Sequence, residues 1–116
     1  MARKKLRKPA YRKLCEEILE RDGCCRFCGK YDTLTPAHVR PRSAGGDDSK
    51  ENMVAACLVG FNGIKGCHPK YDQYEIMIPQ SIMKELSGEL LSWAKLRNER
   101  VYRANRERDE KEKNIL

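Results

Sequence analysis

The sequence predicts a small α+β fold in which helices surround one β-hairpin. Three observations predict it: the chain length, two short extended segments around a glycine-rich turn, and apolar residues at helical spacing on both sides. At 116 residues the chain has room for one small domain with extensions, and not for two full cores. Because such a chain buries only a modest core, a metal or disulfides are expected to help hold it together.

The first predicted element is a short amphipathic helix over residues 9–21. Leu14 and Ile18 recur at helical spacing among charged residues. Pro9 near the first turn and Gly23 just past the end are typical start and stop signals of a helix.

A β-hairpin with a long loop is predicted next. Residues 33–39, which are rich in Thr and Val, and residues 52–57 are two short extended segments. The polar loop between them centres on Gly45-Gly46-Asp47-Asp48, a clear turn signal. Residues 58–66 contain three glycines and are predicted to be irregular.

Two further helices are expected in the C-terminal half. His68-Pro69 can open a short helix, because proline is well tolerated at a first helical position. A longer helix is predicted from Gln80 onwards, and Gly88 weakens it without forbidding it. Its apolar stripe belongs to the core or to a helix-packing or dimer seam. The stripe comprises Ile82, Leu86, Leu90 and Trp93, with Met83, Leu91 and Ala94 beside it, and Arg97 lies on the same helical face.

Charge is concentrated at the N-terminus of a chain whose net charge is +7. Residues 1–13 hold seven bases and no acid, and residues 1–8 are expected to form a flexible arm. Such an arm favours polyanions through counterion release. A solvated tail or a localisation signal would have the same composition.

The six cysteines are expected to bind metal instead of forming disulfides. The sequence shows no membrane-spanning run and no export signal, which predicts a cytoplasmic protein with reduced thiols. Cys25-x-x-Cys28 is a tight turn that can direct two thiolates at one zinc ion, and a downstream pair can complete a tetrahedral site. The predicted ligands are Cys25, Cys28, Cys57 and Cys67. Cys24 could replace Cys25, although only Cys25 gives the two-residue spacing; Cys15 is expected to be a small buried hydrophobe.

Further motifs surround these cysteines between Ile18 and Asp72. They are Leu19-Glu20-Arg21-Asp22-Gly23, then Cys25-x-x-Cys28-Gly29, then Ala37-His38-Val39-Arg40-Pro41-Arg42-Ser43-x-Gly45-Gly46, then Glu51-Asn52-Met53-Val54, then Cys57 and Cys67-His68. In order and spacing they resemble the HNH endonuclease family, in the treble-clef form found in many phage and bacterial proteins. The resemblance implies a zinc-stabilised ββα-metal (treble-clef) core, to which periodicity adds an N-terminal helix and a long C-terminal helix.

The resemblance also implies roles for three residues. His38 corresponds to the general base that takes a proton from the attacking water. Asn52 corresponds to the middle motif residue, whose amide fixes the hairpin loop and so orients His38. His68 corresponds to a ligand of a catalytic divalent ion, Mg²⁺ or Mn²⁺, at the start of the helix.

The sequence departs from the family pattern at two places. Position 37 is Ala, where many members have a further metal ligand. Asp72, four residues after His68, is a substitute ligand by position, although an exposed helical Asp also serves solubility. The second departure is the long 58–66 insertion, which is expected to lie next to the metal.

DNA is the expected partner. Arg40 and Arg42 flank Pro41 beside the expected base and are predicted to contact phosphates, although loop solubility would explain them as well. The arm residues predicted to bind nucleic acid are Arg3, Lys4, Lys5, Arg7 and Lys8.

Three functions remain open at this point. The first is a metal-dependent DNA endonuclease in the cytoplasm of a bacterial or phage-infected cell. The second is a zinc-stabilised nucleic-acid-binding module with weakened catalysis, and the third is an interaction module that forms a homodimer or binds a partner protein through its C-terminal helix. The predicted organisation is a basic arm over 1–8, an HNH nuclease domain over 9–78 and a helical extension over 79–116.

Overall fold

The computed structural model describes residues 5–115, with side chains described to residue 111. The elements are α1 (Lys8–Asp22), β1 (Leu34–His38), β2 (Met53–Cys57), α2 (Cys67–Asp72), α3 (Gln80–Met83) and α4 (Gly88–Ile115), with short 3₁₀ turns at Arg42–Ala44 and Phe61–Gly63. Within the described residues the sheet is a two-stranded antiparallel hairpin. The predicted small α+β fold is thereby confirmed.

Helix α1 begins and ends within one residue of the prediction. Pro9 lies in its first turn, and Gly23 ends it in the left-handed conformation (φ 68°), with its N–H bonded to the Leu19 carbonyl. Leu14 and Ile18 are buried and pack on Met53 of β2, so the predicted apolar face holds α1 against the hairpin.

The hairpin separates two parts of the core. His38 lies opposite Met53 in the register, and Ala37 lies opposite Val54. Because successive residues of a strand point to opposite faces, these two pairs face opposite sides of the sheet. Met53 packs with Ile18 of α1, and Val54 belongs to the cluster that includes Tyr71 of α2. The hairpin thus lies between α1 and α2.

Strand β1 is an edge strand in the part of the chain that the structure describes. The N–H of Val39 bonds to the Asn52 carbonyl, and the N–H of Leu58 bonds to the Thr33 carbonyl. The backbone N–H and C=O groups of the odd-numbered residues of β1 therefore point toward β2. The backbone nitrogen of Pro36, an even-numbered residue, points away from β2. Proline is tolerated there because that position donates no ladder bond.

The predicted continuous helix from Gln80 is wrong. Helix α3 ends at Met83, and α4 begins only at Gly88, whose φ of +58° cannot continue a right-handed helix. The break lets Ile82 and Leu86 both enter the core. The apolar stripe packs into the core, which was one of the two predicted roles. Met83, Leu90, Leu91 and Trp93 lie against the core cluster that contains Val54, Tyr71 and Ile82.

Helix α4 is joined to the segment after α2 by polar contacts. Arg97 is 3% exposed and donates to the carbonyls of Tyr71 (2.5 Å) and Ile76 (3.0 Å), while Asn98 exchanges two hydrogen bonds with the backbone of Ile78. The guanidinium carbon of Arg97 lies 3.7 Å from the centre of the Tyr71 ring. Ile82 of α3 and Ala94 of α4 thus share a core with Val54 of the hairpin, and the division into domains stays a prediction. No helix among the described residues is long and apolar enough to cross a membrane.

Candidate functional site

Four cysteine sulfurs converge at one end of the hairpin. Cys25 and Cys28 come from the turn after α1, Cys57 ends β2, and Cys67 begins α2. Their Sγ atoms all lie within 4.8 Å of one another, and those of Cys28 and Cys57 are 3.7 Å apart. A tetrahedral zinc site with Zn–S bonds of about 2.3 Å requires sulfurs about 3.8 Å apart. The donor set therefore fits zinc.

The thiol pKa values differ within this cluster: burial and neighbouring cysteines raise those of Cys28 and Cys67, whereas backbone N–H groups favour a thiolate at Cys25. The N–H of Cys67 donates to the Cys57 sulfur at 3.3 Å. At Cys25, burial raises the thiol pKa, but backbone N–H groups of Cys28, Cys57 and Phe27 outweigh it and lower that pKa to about 7. A thiolate at neutral pH is the form that binds metal. Cys25, and not Cys24, belongs to the four-cysteine cluster. Cys15 is half-buried and packs beside Leu14, Ile18 and Met53.

His68 and Asp72 form a second pair of potential ligands, one turn apart on α2. Nε2 of His68 lies 3.3 Å from a carboxylate oxygen of Asp72. On the other side of the ring, Nδ1 is 2.6 Å from the Thr35 hydroxyl, which itself contacts the Ala56 carbonyl at 3.0 Å. Where the single hydroxyl proton of Thr35 goes to that carbonyl, Nδ1–H of His68 donates to the Thr35 oxygen.

This arrangement leaves the lone pair of a neutral His68 on Nε2, facing the Asp72 carboxylate. Two acceptors at this distance repel each other unless a proton or a metal cation lies between them. Cis ligands of an octahedral ion with bonds of about 2.1 Å are about 3.0 Å apart, close to the observed separation. The pair has the donor chemistry and the spacing of a divalent-ion site.

His38 is held by a buried carboxylate. Its Nε2 lies 2.9 Å from Oδ1 of Asp48, and the Asp48 side chain is completely buried. Arg42 donates to both oxygens of the same carboxylate, each at 2.8 Å, and the N–H of Leu6 donates at 2.8 Å. Burial by itself raises the pKa of Asp48, but the hydrogen bonds from Arg42, His38 and Leu6 together hold that pKa well below its usual range. Asp48 is therefore ionised at neutral pH.

The ionised state of Asp48 decides the tautomer of His38. A carboxylate can only accept hydrogen bonds, so Nε2 of His38 donates and a neutral ring carries its lone pair on Nδ1. Nδ1 is therefore the ring nitrogen that can accept a proton.

Asn52 ties the two ends of the hairpin loop together. Its amide oxygen accepts from the N–H of Arg40 at 2.8 Å, and its Nδ2 donates to the carbonyls of Arg40 (3.0 Å) and Asp47 (2.8 Å). The loop is packed so closely that a Cβ at Gly46 would lie 1.7 Å from the Arg40 carbonyl oxygen. Because only glycine fits at position 46, the loop that carries Asp48 has little freedom beside His38.

The predicted phosphate-binding residues have different environments. The Arg42 guanidinium is bonded to Asp48, and Nε of Arg40 donates to the Ala44 carbonyl at 2.7 Å. Lys5, Arg7 and Lys8 are exposed at the start of α1. Arg3 and Lys4 lie outside the described residues.

The two histidines lie against opposite faces of the hairpin. His38 faces α1, as Met53 does, whereas His68 contacts Thr35, which points to the other face. Ala37 points to the same face as Thr35 and is 1% exposed, so its methyl group fills a packed position. The structure thus brings His68 together with Asp72, and His38 together with Asp48, but the predicted residues do not form a single contact group.

Sequence reasoning did not identify Asp48 or Thr35 as site residues. Asp48 was visible only as part of a turn signal, and its place beside His38 depends on how the loop closes. Thr35 had no signal apart from lying three residues before His38 on a predicted strand.

Comparison with known proteins identifies one family. Residues 22–59 match the family model described as HNH endonuclease. This segment is therefore similar to HNH endonucleases, and the predicted resemblance is confirmed over these residues. The match covers the first cysteine pair, the hairpin and its loop, and it ends before Cys67 and His68. Neither the search of curated proteins nor that of solved structures gave a match.

Proposed function

We propose that this protein is a metal-dependent HNH endonuclease that hydrolyses phosphodiester bonds of DNA on a zinc-stabilised ββα-metal (treble-clef) core. The observation that carries the proposal is the contact between Nε2 of His38 and the buried, ionised Asp48. It supports His38 as general base, because it leaves Nδ1 as the proton acceptor. The match to the HNH family over residues 22–59 supports the same assignment.

In the proposed reaction, a water oxygen attacks phosphorus while Nδ1 of His38 takes the water proton. The bond between phosphorus and the 3′ oxygen breaks, and the 3′ oxygen is protonated by solvent, which gives a 3′-hydroxyl and a 5′-phosphate. A divalent ion, Mg²⁺ or Mn²⁺, held by His68 and Asp72 would neutralise a non-bridging phosphate oxygen and the departing 3′ oxygen.

Asn52 has a positioning role in this proposal. By bonding to Arg40 and Asp47 it fixes the loop that presents Asp48 to His38. We place the phosphate at the outer edge of β1, which has no partner strand among the described residues, so that groups on both faces of the hairpin can approach it. Most catalysis in phosphoryl chemistry is positioning and charge stabilisation, so few protein groups are needed.

The four-cysteine cluster is proposed to hold a structural zinc ion. It joins the turn after α1 to the end of β2 and the first residue of α2, the helix that carries His68 and Asp72. The exposed basic residues Lys5, Arg7 and Lys8, together with Arg3, Lys4 and Arg40, are proposed to attract the DNA backbone. Arg42 contacts phosphate only with the part of its guanidinium that Asp48 leaves exposed. The cytoplasmic location and a dimer or partner surface on α4 stay predictions.

A second function is favoured by two observations. Ala37 fills a packed position with a methyl group where many family members have a ligand, and the two histidines face opposite sides of the hairpin. Both features would be expected of a zinc-stabilised nucleic-acid-binding module with weakened catalysis.

A supercoiled-plasmid assay separates the two. With Mg²⁺ or Mn²⁺, wild-type protein is expected to produce nicked or linear DNA, and His38→Ala should slow this by about 10²-fold or more. Asp109→Asn, an exposed change on α4, is the control and should cut normally. Equal cleavage by wild type and His38→Ala would remove His38 from its role. A wild type that retards DNA in a gel but is inert with every metal would establish the binding module.

A further inference from the structure

Tyr11 of α1 lies against the His38 site from outside the segment that matches the family. Its ring is nearly parallel to the His38 imidazole, with an interplanar angle of 11° and ring centres 6.3 Å apart. The guanidinium carbon of Arg42 lies 4.6 Å from the centre of the same ring. Tyr11 thus contacts both side chains that bind the Asp48 carboxylate. Offset stacking and cation–π contacts at these separations are favourable.

Tyr11 is itself held in place. It packs with Leu6 and Cys15 beside the cluster formed by Leu14, Ile18 and Met53. Burial and the neighbouring Cys15 thiol, one helical turn away, raise the pKa of the Tyr11 hydroxyl. The ring is therefore half-buried on a helix that packs directly on β2, and its position is set by core contacts and not by the histidine alone.

A second contact from the same segment reaches the same carboxylate. The N–H of Leu6, just before α1, donates to Oδ2 of Asp48. Residues 6–11 therefore contribute one hydrogen bond and one aromatic ring to the site.

We propose that Tyr11 is a positioning residue of the nuclease reaction: its ring fixes the plane of the His38 imidazole and keeps Arg42 on Asp48, so that the site is complete only with helix α1. This inference rests on the proposed function. A general base that can rotate away from the attacking water accelerates the reaction less, because small misplacements of catalytic groups lower the rate strongly.

Two substitutions test the ring. Tyr11→Leu removes the aromatic face but keeps an apolar side chain, and Tyr11→Phe keeps the ring and removes only the hydroxyl. In the plasmid assay with Mn²⁺, kcat of Tyr11→Leu is expected to fall about tenfold with little change in KM, while Tyr11→Phe stays within about twofold of wild type. Tyr102→Leu, on the exposed side of α4, is the matched control and should leave kcat unchanged.

Other outcomes overturn the inference. Unchanged kcat in a folded Tyr11→Leu would exclude positioning, and a raised KM with normal kcat would make Tyr11 a substrate contact instead. Equal loss in the Phe and Leu variants would transfer the role to the hydroxyl.

A measurement on wild-type protein separates failure of this inference from failure of the proposed function. Proton NMR should show cross-relaxation between the ring protons of Tyr11 and those of His38, and the His38 ring signals should shift in Tyr11→Leu but not in Tyr102→Leu. If wild type is inert on DNA but shows these signals, the nuclease proposal fails while the stack stands. If they are absent from a folded wild type, the inference is wrong whatever the activity, and this test does not depend on the Leu variant folding.

Discussion

Asp48→Asn tests the network around His38 most directly. Asp48 is fully buried and accepts hydrogen bonds from the His38 ring, the Leu6 backbone N–H and two guanidinium nitrogens of Arg42. An asparagine of the same shape has one acceptor oxygen, and its NH₂ group would face a donor. A hydrogen bond to a charged group contributes about 1.5–3 kcal/mol, and breaking a buried ion pair costs about 3–5 kcal/mol. Because the Arg42 side chain is 36% exposed and regains water, the expected loss is about 3 kcal/mol.

The sign of the pH dependence follows from the lowered pKa of Asp48. A carboxyl whose folded pKa lies below its unfolded value of about 3.9 stabilises the fold fully above that pH. The contribution is lost as the pH falls through the folded pKa. The asparagine variant has no such contribution, so the difference in unfolding free energy should be largest near neutrality and shrink as the pH falls below about 4.

Urea denaturation followed by circular dichroism at several pH values measures both effects, with Asp109→Asn as the exposed control. Zinc release in acid affects wild type and variants alike, so only the difference between them is informative. Cleavage by Asp48→Asn should also fall by about 10²-fold, because Nε2 of His38 loses the partner that fixes its tautomer. An Asp48→Asn protein with wild-type stability at pH 7, and a difference that does not change with pH, would refute the proposed network.

Three further predictions concern the metals and the loop. Chelation of zinc, or Cys67→Ser, should unfold or strongly destabilise the domain, because metal binding contributes to its folding. Circular dichroism with and without chelator measures the unfolding, and elemental analysis of wild type should give about one zinc per chain. Gly46→Ala should lower the free energy of unfolding by about 3 kcal/mol or more, because the added Cβ would lie 1.7 Å from the Arg40 carbonyl oxygen. Gly63→Ala is the control: its Cβ would have no atom within 4 Å, and the strain at its φ of +73° should cost only about 1 kcal/mol. Thermal or urea unfolding measures both values. His68→Ala should keep the zinc but require a much higher Mn²⁺ concentration for cleavage, and an unchanged Mn²⁺ titration would place the catalytic ion elsewhere.

The sequence predicted the local elements well, because their signals are local. The spacing of Leu14 and Ile18, with Gly23 after them, predicted α1 to within one residue at each end. The prediction of one long helix from Gln80 was wrong because its signals are also local. The apolar periodicity continues past Gly88, but the positive φ of that glycine depends on how Ile82 and Leu86 reach the core. A break between two helices that share one apolar stripe leaves little trace in the pattern.

The amino-acid sequence by itself predicted a Cys-x-x-Cys turn with a downstream cysteine pair, the hairpin and the resemblance to HNH endonucleases, since tight spacings such as Cys25-x-x-Cys28 allow few geometries. Tertiary structure decided which of Cys24 and Cys25 joins the cluster, and it brought Asp48 and Tyr11 to His38. The reason is physical. Spacing constrains neighbours along the chain, whereas contacts such as Tyr11 with His38 depend on how α1 packs against the hairpin, a balance of core contacts that no local motif encodes.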